Sequence, residues 1–450
     1  MSERTKIQAP TGKLGVLIPG LGSVASTFVA GVALARRGRA LPIGSLTQLQ
    51  RLRLGKRTAP REVLIKDLVP LAGLDDLVFG GWDPVETDAY EAARHSDVLP
   101  PHLLEEAQDD LRATTAWPAA FCHDVVRRIT PQRVKRGTHR EVVEALREDI
   151  RAFRSATGAT RLVMAQLLST EAHQPHGPAH EDLDALEAAL DRSDPAVTPS
   201  LLYAYAAVQE GVPVLNGTPN ASVDARSLQA LAARRRVPVA GKDLKTGQTM
   251  MKTVLAPALQ ARMLGLRGWY STNILGNRDG EVLDEPANFR SKEVTKRSVL
   301  EGILRDDLYP ELYGDYCHKV RIDYYPPRGD QKEGWDNIDI VGWLGQPMQI
   351  KVNFLCRDSI LAAPVVLDLV LFLDLAARAG LGGIQEWLSF YFKSPIARPG
   401  LRPLHDLFAQ HLKLTNTLRT LAGEEVLHHT GLDYYSDDAD DDPARRKDAA

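Results

Sequence analysis

The first residues whose spacing suggests chemistry are Gly20, Gly22 and Ala25, in the pattern Gly-x-Gly-x-x-Ala. They follow the apolar run Lys13–Ile18 and open the helical spacing of Ser26–Arg36. Glycine lets the backbone turn sharply and approach a pyrophosphate, whose charge then meets the amides of the helix N-terminus. The same pattern also fits an ordinary glycine turn in an α/β protein. The acidic residue that grips ribose hydroxyls about twenty positions further on is missing, and Arg36, Arg37 and Arg39 stand near that point instead. Read locally, those guanidiniums favour a phosphorylated cofactor, NADP.

A second candidate is GKDLKTGQT, residues 241–249, ahead of helical spacing over Met250–Met263. Thr246, Gly247, Gln248 and Thr249 would present amides and hydroxyls at a helix N-terminus, a cradle for a phosphate. A capped helix with a lysine-rich approach is the plainer alternative. Lys292, Lys296, Lys332 and Lys393 sit in polar loops. Most lysines are solvated surface charges, but one lodged among apolar groups can act as a base or hold an oxyanion. Lys393, beside Phe390, Tyr391 and Phe392, suits that description best. His173, His176 and His180, with Glu181 and Asp182 behind them, invite a zinc reading. The loop-forming Gln174, Pro175, Gly177 and Pro178 argue against it, as does the lack of a fourth ligand at standard spacing. No GxSxG elbow, Walker loop or HExxH pair occurs.

These groups need elements to position them. Glu141–Ala156 has amphipathic helical spacing, Arg161–Leu167 reads as a strand, and Gly211–Asn216 and Arg236–Ala240 as two more. This alternation predicts a parallel sheet covered by helices. After about Thr249 the pattern changes. Lys319–Tyr324 and Gln349–Cys356 alternate strictly, with Gly345-Gln346-Pro347 as a turn, which predicts a mostly antiparallel second sheet.

The chain of 450 residues is 44% hydrophobic, enough for a large core. Its formal net charge of -3 gives no general pull toward nucleic acid or an anionic membrane. Cys122, Cys317 and Cys356 form no CxxC pair, which suits a reducing cytoplasm. The stretch from Arg4 to Arg61 is acid-free and arginine-rich like a transit peptide, but it contains the strand and glycine turn, so it reads as folded protein. Ile360–Ala379 approaches membrane-spanning length, yet Pro364, Asp368, Asp374 and Arg378 favour a buried helix. Residues 437–450 read as a disordered, acid-rich tail.

Taken together, nine stretches resemble the myo-inositol-phosphate synthase family, its bacterial branch in particular. They are GLGSVASTF, VFGGWDP, VLNGTPN, GKDLKTGQT, STNILGNRDG, FRSKEVTKRSV, YYPPRGDQK, FLCRDSILAAPVVLDL and WLSFYFKSPIARPG, in order from about residue 13 to 405. The resemblance implies an α/β fold: an NAD-binding Rossmann-like parallel sheet with an inserted α+β catalytic and tetramerisation domain. It places the nucleotide domain at 13–249 and the inserted domain at 250–361, with 1–12 and 362–436 completing the nucleotide domain. By the same resemblance Gly20, Gly22, Ser23, Val24 and Ala25 hold the NAD pyrophosphate, and Asn216 and Asp358 also contact the cofactor. Asp83 stands at the adenosine ribose, which accounts for the acid missing near the turn. Thr246, Gly247, Gln248 and Thr249 grip the substrate phosphate with Lys296, and Asp243, Asn277, Asp279 and Asp330 hold sugar hydroxyls. Lys292, Lys332, Asp358 and Lys393 surround the reacting carbons. Some relatives bind a monovalent or divalent cation near the nicotinamide, for which Asp358 and Ser359 are the candidates here. Departures are a loop, GLGSVAST, poorer in glycine and asparagine than is common, a counterpart ATTAWPAAF without basic character, and a histidine-rich loop with no family role.

The implied activity is cyclisation of glucose 6-phosphate to 1D-myo-inositol 3-phosphate by a cytoplasmic homotetramer that uses NAD and contacts neither nucleic acid nor membrane. Three rivals remain at this point: a related carbocyclase acting on another sugar or nucleoside phosphate, a non-catalytic NAD-binding scaffold, and a simple NADP dehydrogenase.

Overall fold

The computed structural model describes residues 7–55, 61–283 and 299–428. The apolar run after Lys13 is buried almost end to end because its strand, β1 (Lys13–Pro19), pairs in parallel on both sides. It is followed by β2 (Arg51–Leu54), β3 (Arg61–Leu64), β4 (Leu77–Asp83), β5 (Ala116–Pro118), β6 (Ala159–Gln166), β7 (Val214–Asn216) and β8 (Pro238–Gly241). β2 and β3 form a separate hairpin. The others join a late strand, β13 (Gly383–Ile384), in a seven-stranded parallel sheet of order β13-β8-β7-β6-β1-β4-β5. The chain moves outward from β1 to β5 and then restarts on the other side with β6. That reversal opens a crevice beyond the carboxyl ends of the strands.

Six helices matter to the site: α1 (Ser23–Arg36), α2 (His139–Thr157), α3 (Pro199–Gln209), α4 (Gly247–Ala261), α5 (Asp358–Arg378) and α6 (Leu407–Ala422). α1 and α5 pack together on one face of the large sheet, while α2 and α3 cover the other. α5 is long and apolar enough to cross a membrane, but most of it is buried inside the protein, as the sequence led us to expect. Its charges are paired internally. Asp374 accepts from Arg161 and Arg378. Asp368 accepts from Ser45 Oγ at 2.6 Å, the amides of Leu46 and Thr47, and Tyr391 OH at 3.0 Å.

The segment between β8 and β13 builds the second sheet from β9 (Gly265–Leu275), β10 (Cys317–Tyr324), β11 (Gln331–Val341) and β12 (Pro347–Arg357), in the order β10-β9-β11-β12. The turn expected at Gly345-Gln346-Pro347 does join an antiparallel pair, β11 and β12. The sheet is mostly antiparallel, as expected, with one exception: β10 runs parallel to β9. Alternation within a strand reports which face is buried and not the direction of its neighbour. Here the chain leaves the end of β9 through helical turns at Arg278–Leu283 and Pro310–Tyr313 before returning.

Beyond the ends of β6 and β7 a buried polar network holds two loops. The Asn220 side chain accepts from Glu171 N and donates to Ser169 O and Ser200 Oγ. Asn216 Nδ2 donates to Asn220 O, and its Oδ1 accepts from Thr218. Gln166 accepts from Ser222 and donates to Ser200 O. The Glu171 carboxylate accepts from the amide and hydroxyl of Ser200 at the start of α3. Burial pushes this carboxyl up to about 7, against the opposing pull of the Ser200 bonds. Its protonated form is therefore the one the fold favours. The stabilisation is complete below the ordinary value of 4.5 and fades as pH rises toward 7. Glu171→Gln should flatten the fall of Tm between pH 5 and 8, removing a dependence on the order of 2–3 kcal/mol. A variant whose Tm falls as steeply as wild type over that range would contradict this assignment.

Candidate active site

Gly20 adopts φ +91°, and a Cβ there would lie 2.5 Å from the Leu167 carbonyl oxygen, so the turn needs glycine. Gly22 caps α1 with no side-chain bond, a Cβ there would meet nothing within 4 Å, and the first turn of α1 has no acid. Ser23 and Val24 therefore line open space at the positive end of a helix, which fits a pyrophosphate. Asp83, at the end of β4, accepts from Leu21 N and Val85 N at 2.9 Å each. The carboxylate missing from the sequence interval is thus beside the turn, supplied by the neighbouring strand. The arginines that suggested NADP are engaged elsewhere. Arg36 donates to the carbonyls of Leu74 and Leu77, Arg37 binds Glu106 O and Asp110, and Arg39 lies 3.5 Å from Glu106. They fasten the end of α1, so the local argument for a phosphorylated cofactor falls.

Across the crevice, residues 241–245 run antiparallel to residues 391–396. Lys245 N donates to Tyr391 O and Lys393 N to Asp243 O, both at 2.7 Å, while Lys242 and Ser394 exchange bonds at 2.9 and 3.1 Å. This contact sets Lys393 Nζ 3.0 Å from Asp243 Oδ1, with both side chains buried. Asp243 holds φ +60°, a strained conformation for a residue with a side chain. Immediately afterwards α4 begins at Gly247, three residues earlier than its periodicity suggests, so Gly247, Gln248 and Thr249 form its first turn. That turn also lacks an acid, and Thr246 caps it without a side-chain bond. The Gln248 side chain points away from the crevice: its nitrogen donates to Thr272 O and Trp335 O, and its oxygen accepts from Asn273. A Cβ at Gly334 would lie 2.9 Å from that side chain, so Gly334 makes room for it.

The third side comes from the second sheet and α5. Lys332 Nζ donates to Asp358 Oδ2 at 2.7 Å. Asn277 and Ser359 both donate to Asp330 Oδ1 at 3.2 Å, and burial raises the pKa of Asp330. Cys356 is buried next to this group. Burial, with Asp358 adding to it, pushes its thiol up to about 11, which suits a packing group rather than a nucleophile. A single cavity is lined by Gly22, Ser23 and Val24, by Leu167–Thr170 and Gly217–Pro219, and by Asp243, Leu244, Thr246, Asn277, Asp358, Ser359, Ala362 and Lys393. A roomier cleft bordered by Tyr313, His318, Ser394 and His405 shares no residue with it and holds none of these lysine–carboxylate pairs.

The structure thus brings together Gly22, Ser23, Val24, Asp243, Thr246, Asn277, Asp358, Ser359 and Lys393 in one wall, with Lys332 attached through Asp358. Ala25 is buried in the α1 interface, and Thr249 is buried in α4. Asn216 lies fully buried in the network behind the wall. Lys292, Lys296 and the side chain of Asp279 lie outside the described residues, as does the tail 437–450. Of the histidines, His176 stacks on His180 at 4.9 Å and lies 3.3 Å from Asp224, which Lys242 also holds. Among the described residues no group of three or more His, Cys, Asp or Glu is arranged to hold a metal ion. The sequence reading missed the wall residues Leu167–Thr170, the Glu171 and Asn220 network, and Cys356. Only the position of the first group, directly after a strand, could have signalled it.

A profile of the family described as myo-inositol-1-phosphate synthase matches residues 14–419. The chain is 52% identical to an inositol-3-phosphate synthase of Bacteroides thetaiotaomicron over 94% of its own length and 98% of the relative's. It is 32% identical to one from Oryza sativa, covering 94% of this chain and 88% of that one. Among solved structures, inositol-3-phosphate synthase from Caenorhabditis elegans superposes with a TM-score of 0.89 at 26% identity, over 96% of this chain and 89% of that one. A family profile that spans residues 14–419 and sequence agreement along nearly the whole length have one explanation: the chain belongs to the myo-inositol-1-phosphate synthase family.

Proposed function

We propose that this protein is an isomerase that cyclises glucose 6-phosphate to 1D-myo-inositol 3-phosphate, with NAD used and restored in each turnover. The observation that carries the reading is one crevice containing a pyrophosphate-type glycine turn, a phosphate-type helix N-terminus and two lysine–carboxylate pairs. A binding scaffold needs the first of these but not the other two. The high identity to a named synthase supports the same substrate.

NAD supplies a hydride acceptor and later, reduced, a hydride donor at C5 of the sugar. Gly20, Gly22 and the amides of Ser23, Val24 and Ala25 hold its pyrophosphate, Asp83 takes the adenosine ribose, and Asn216 shapes the wall beneath. The remaining steps develop negative charge on oxygen, and preorganised ammonium groups in a water-poor site are suited to hold it. In this reading Lys393 takes the C5 hydroxyl proton and holds the C5 oxygen. Its partner Asp243 keeps the amine in place and binds a sugar hydroxyl. Lys332, fixed by Asp358, supports the C5 oxygen while a C6 proton passes to the substrate's own phosphate. Lys292 polarises the C1 aldehyde, so that C6 closes the ring onto C1. The amides of Gly247, Gln248 and Thr249, with Thr246 and Lys296, grip the phosphate, and Asn277, Asp279 and Asp330 hold hydroxyls. Asp358 and Ser359 stand where a cation would meet the nicotinamide. We further propose a homotetramer, consistent with the exposed apolar residues Trp335, Met348 and Leu355 on the second sheet.

Purified protein given glucose 6-phosphate and NAD should yield an inositol monophosphate, with deuterium placed at C5 of the substrate retained at that carbon. NADH accumulating in step with substrate loss would instead indicate a dehydrogenase. Lys393→Ala should lower kcat by about 10²–10³-fold or more while NAD affinity changes little. Turnover of that variant at the wild-type rate would remove Lys393 from the chemistry.

A further inference from the structure

The first turn of α4 must be held firmly without using its own donors. Its amides are the groups that meet the substrate phosphate, and any internal partner would compete for them. Its anchors must therefore be side chains that point the other way. Gln248 supplies one, into the second sheet. The other is Lys245, one residue ahead of the turn. Its amide is fixed to Tyr391 O. Its side chain is absent from the cavity wall and is buried, with Nζ donating to Gln410 Oε1 on α6. Nζ also lies 5.6 Å from the centre of the Phe390 ring. Gln410 is itself fully buried and donates to Leu404 O, so the acceptor is rigid. α6 in turn packs on α4 and on the 386–391 turn that leads into Lys393.

Fold stability alone is a poor account of this lysine. An ammonium buried against one amide oxygen pays desolvation that a methionine of similar length would avoid. Burial pulls the amine down to about 7, with Asp406 at the cap of α6 opposing the shift.

We propose that Lys245 is a positioning residue for the reaction: through Gln410 it clamps the phosphate-gripping turn against α6, so that substrate affinity depends on it and the chemical step does not. The inference rests on the reading of Thr246–Thr249 as the phosphate grip. It is tested by steady-state kinetics of the full-length enzyme carrying Lys245→Met, Gln410→Leu, or both. Each single variant should raise KM for glucose 6-phosphate about tenfold or more and keep kcat within about threefold. The inhibition constant of inorganic phosphate should rise in parallel, while NAD affinity stays within about twofold of wild type. The double variant should be no worse than the poorer single one, because both cut the same link. Lys245→Met with an unchanged KM overturns the proposal, as does a loss confined to kcat. Additive effects of the two substitutions also overturn it, since they break the link to Gln410. If Lys245→Met does not fold, Gln410→Leu decides on the same criteria. Failure of the wild-type protein to convert glucose 6-phosphate would instead refute the functional reading. Calorimetry of inorganic phosphate with the two variants would then still test the clamp.

Discussion

Residues 241–245 and 391–396 meet as two short extended segments joined by backbone hydrogen bonds, and the crevice has its shape because they do. In such a pairing successive side chains alternate faces, so a slip of one residue would turn Lys393 away from the crevice and Asp243 with it. The register is protected from both sides. Tyr391 is bonded to Asp368 in the middle of α5, and Asp368 also gathers the 45–47 segment. On the other strand, Gly241 continues β8 of the large sheet. A contact between segments about 150 positions apart thus inherits the rigidity of the core helix and the core sheet.

Three helix N-termini converge on the same crevice, and their first turns differ in charge. α1 and α4 have no acid there, leaving their positive ends to anions. α5 begins with Asp358, a carboxylate that complements its own helix and also holds Lys332. The crevice therefore has two helix ends without acids, along with two lysines kept in place by neighbouring acids. Such pairing holds each amine in a fixed orientation within a partly dry environment.

Much of this was legible in the chain wherever the physics is local. A strand, a glycine turn and a helix announce themselves by spacing, and so did α5, whose internal charges marked it as a core helix. Resemblance added positions such as Asp358 that spacing could not single out. Local reading failed where partners come from a distance. Arg36, Arg37 and Arg39 looked like phosphate ligands until Leu74, Leu77, Glu106 and Asp110 were found beside them. For Gln248 the place of the side chain was hidden: it serves the second sheet, where Gly334 opposite leaves a gap. The parallel pairing of β10 was hidden because alternation records burial and not direction.

The order of elements has a consequence for how such a chain is made. The large sheet begins with β1, yet the helix that covers α1, and the edge strand β13, are encoded after the whole second sheet. At roughly 5–20 residues per second, the ribosome needs on the order of 20–70 s between α1 and the end of α5. During that interval the apolar side of α1 has emerged without its permanent cover. A nascent polypeptide of this design is exposed to chaperones and to aggregation for most of its synthesis, and a transcript cut short anywhere before α5 would release a product unable to close its own core.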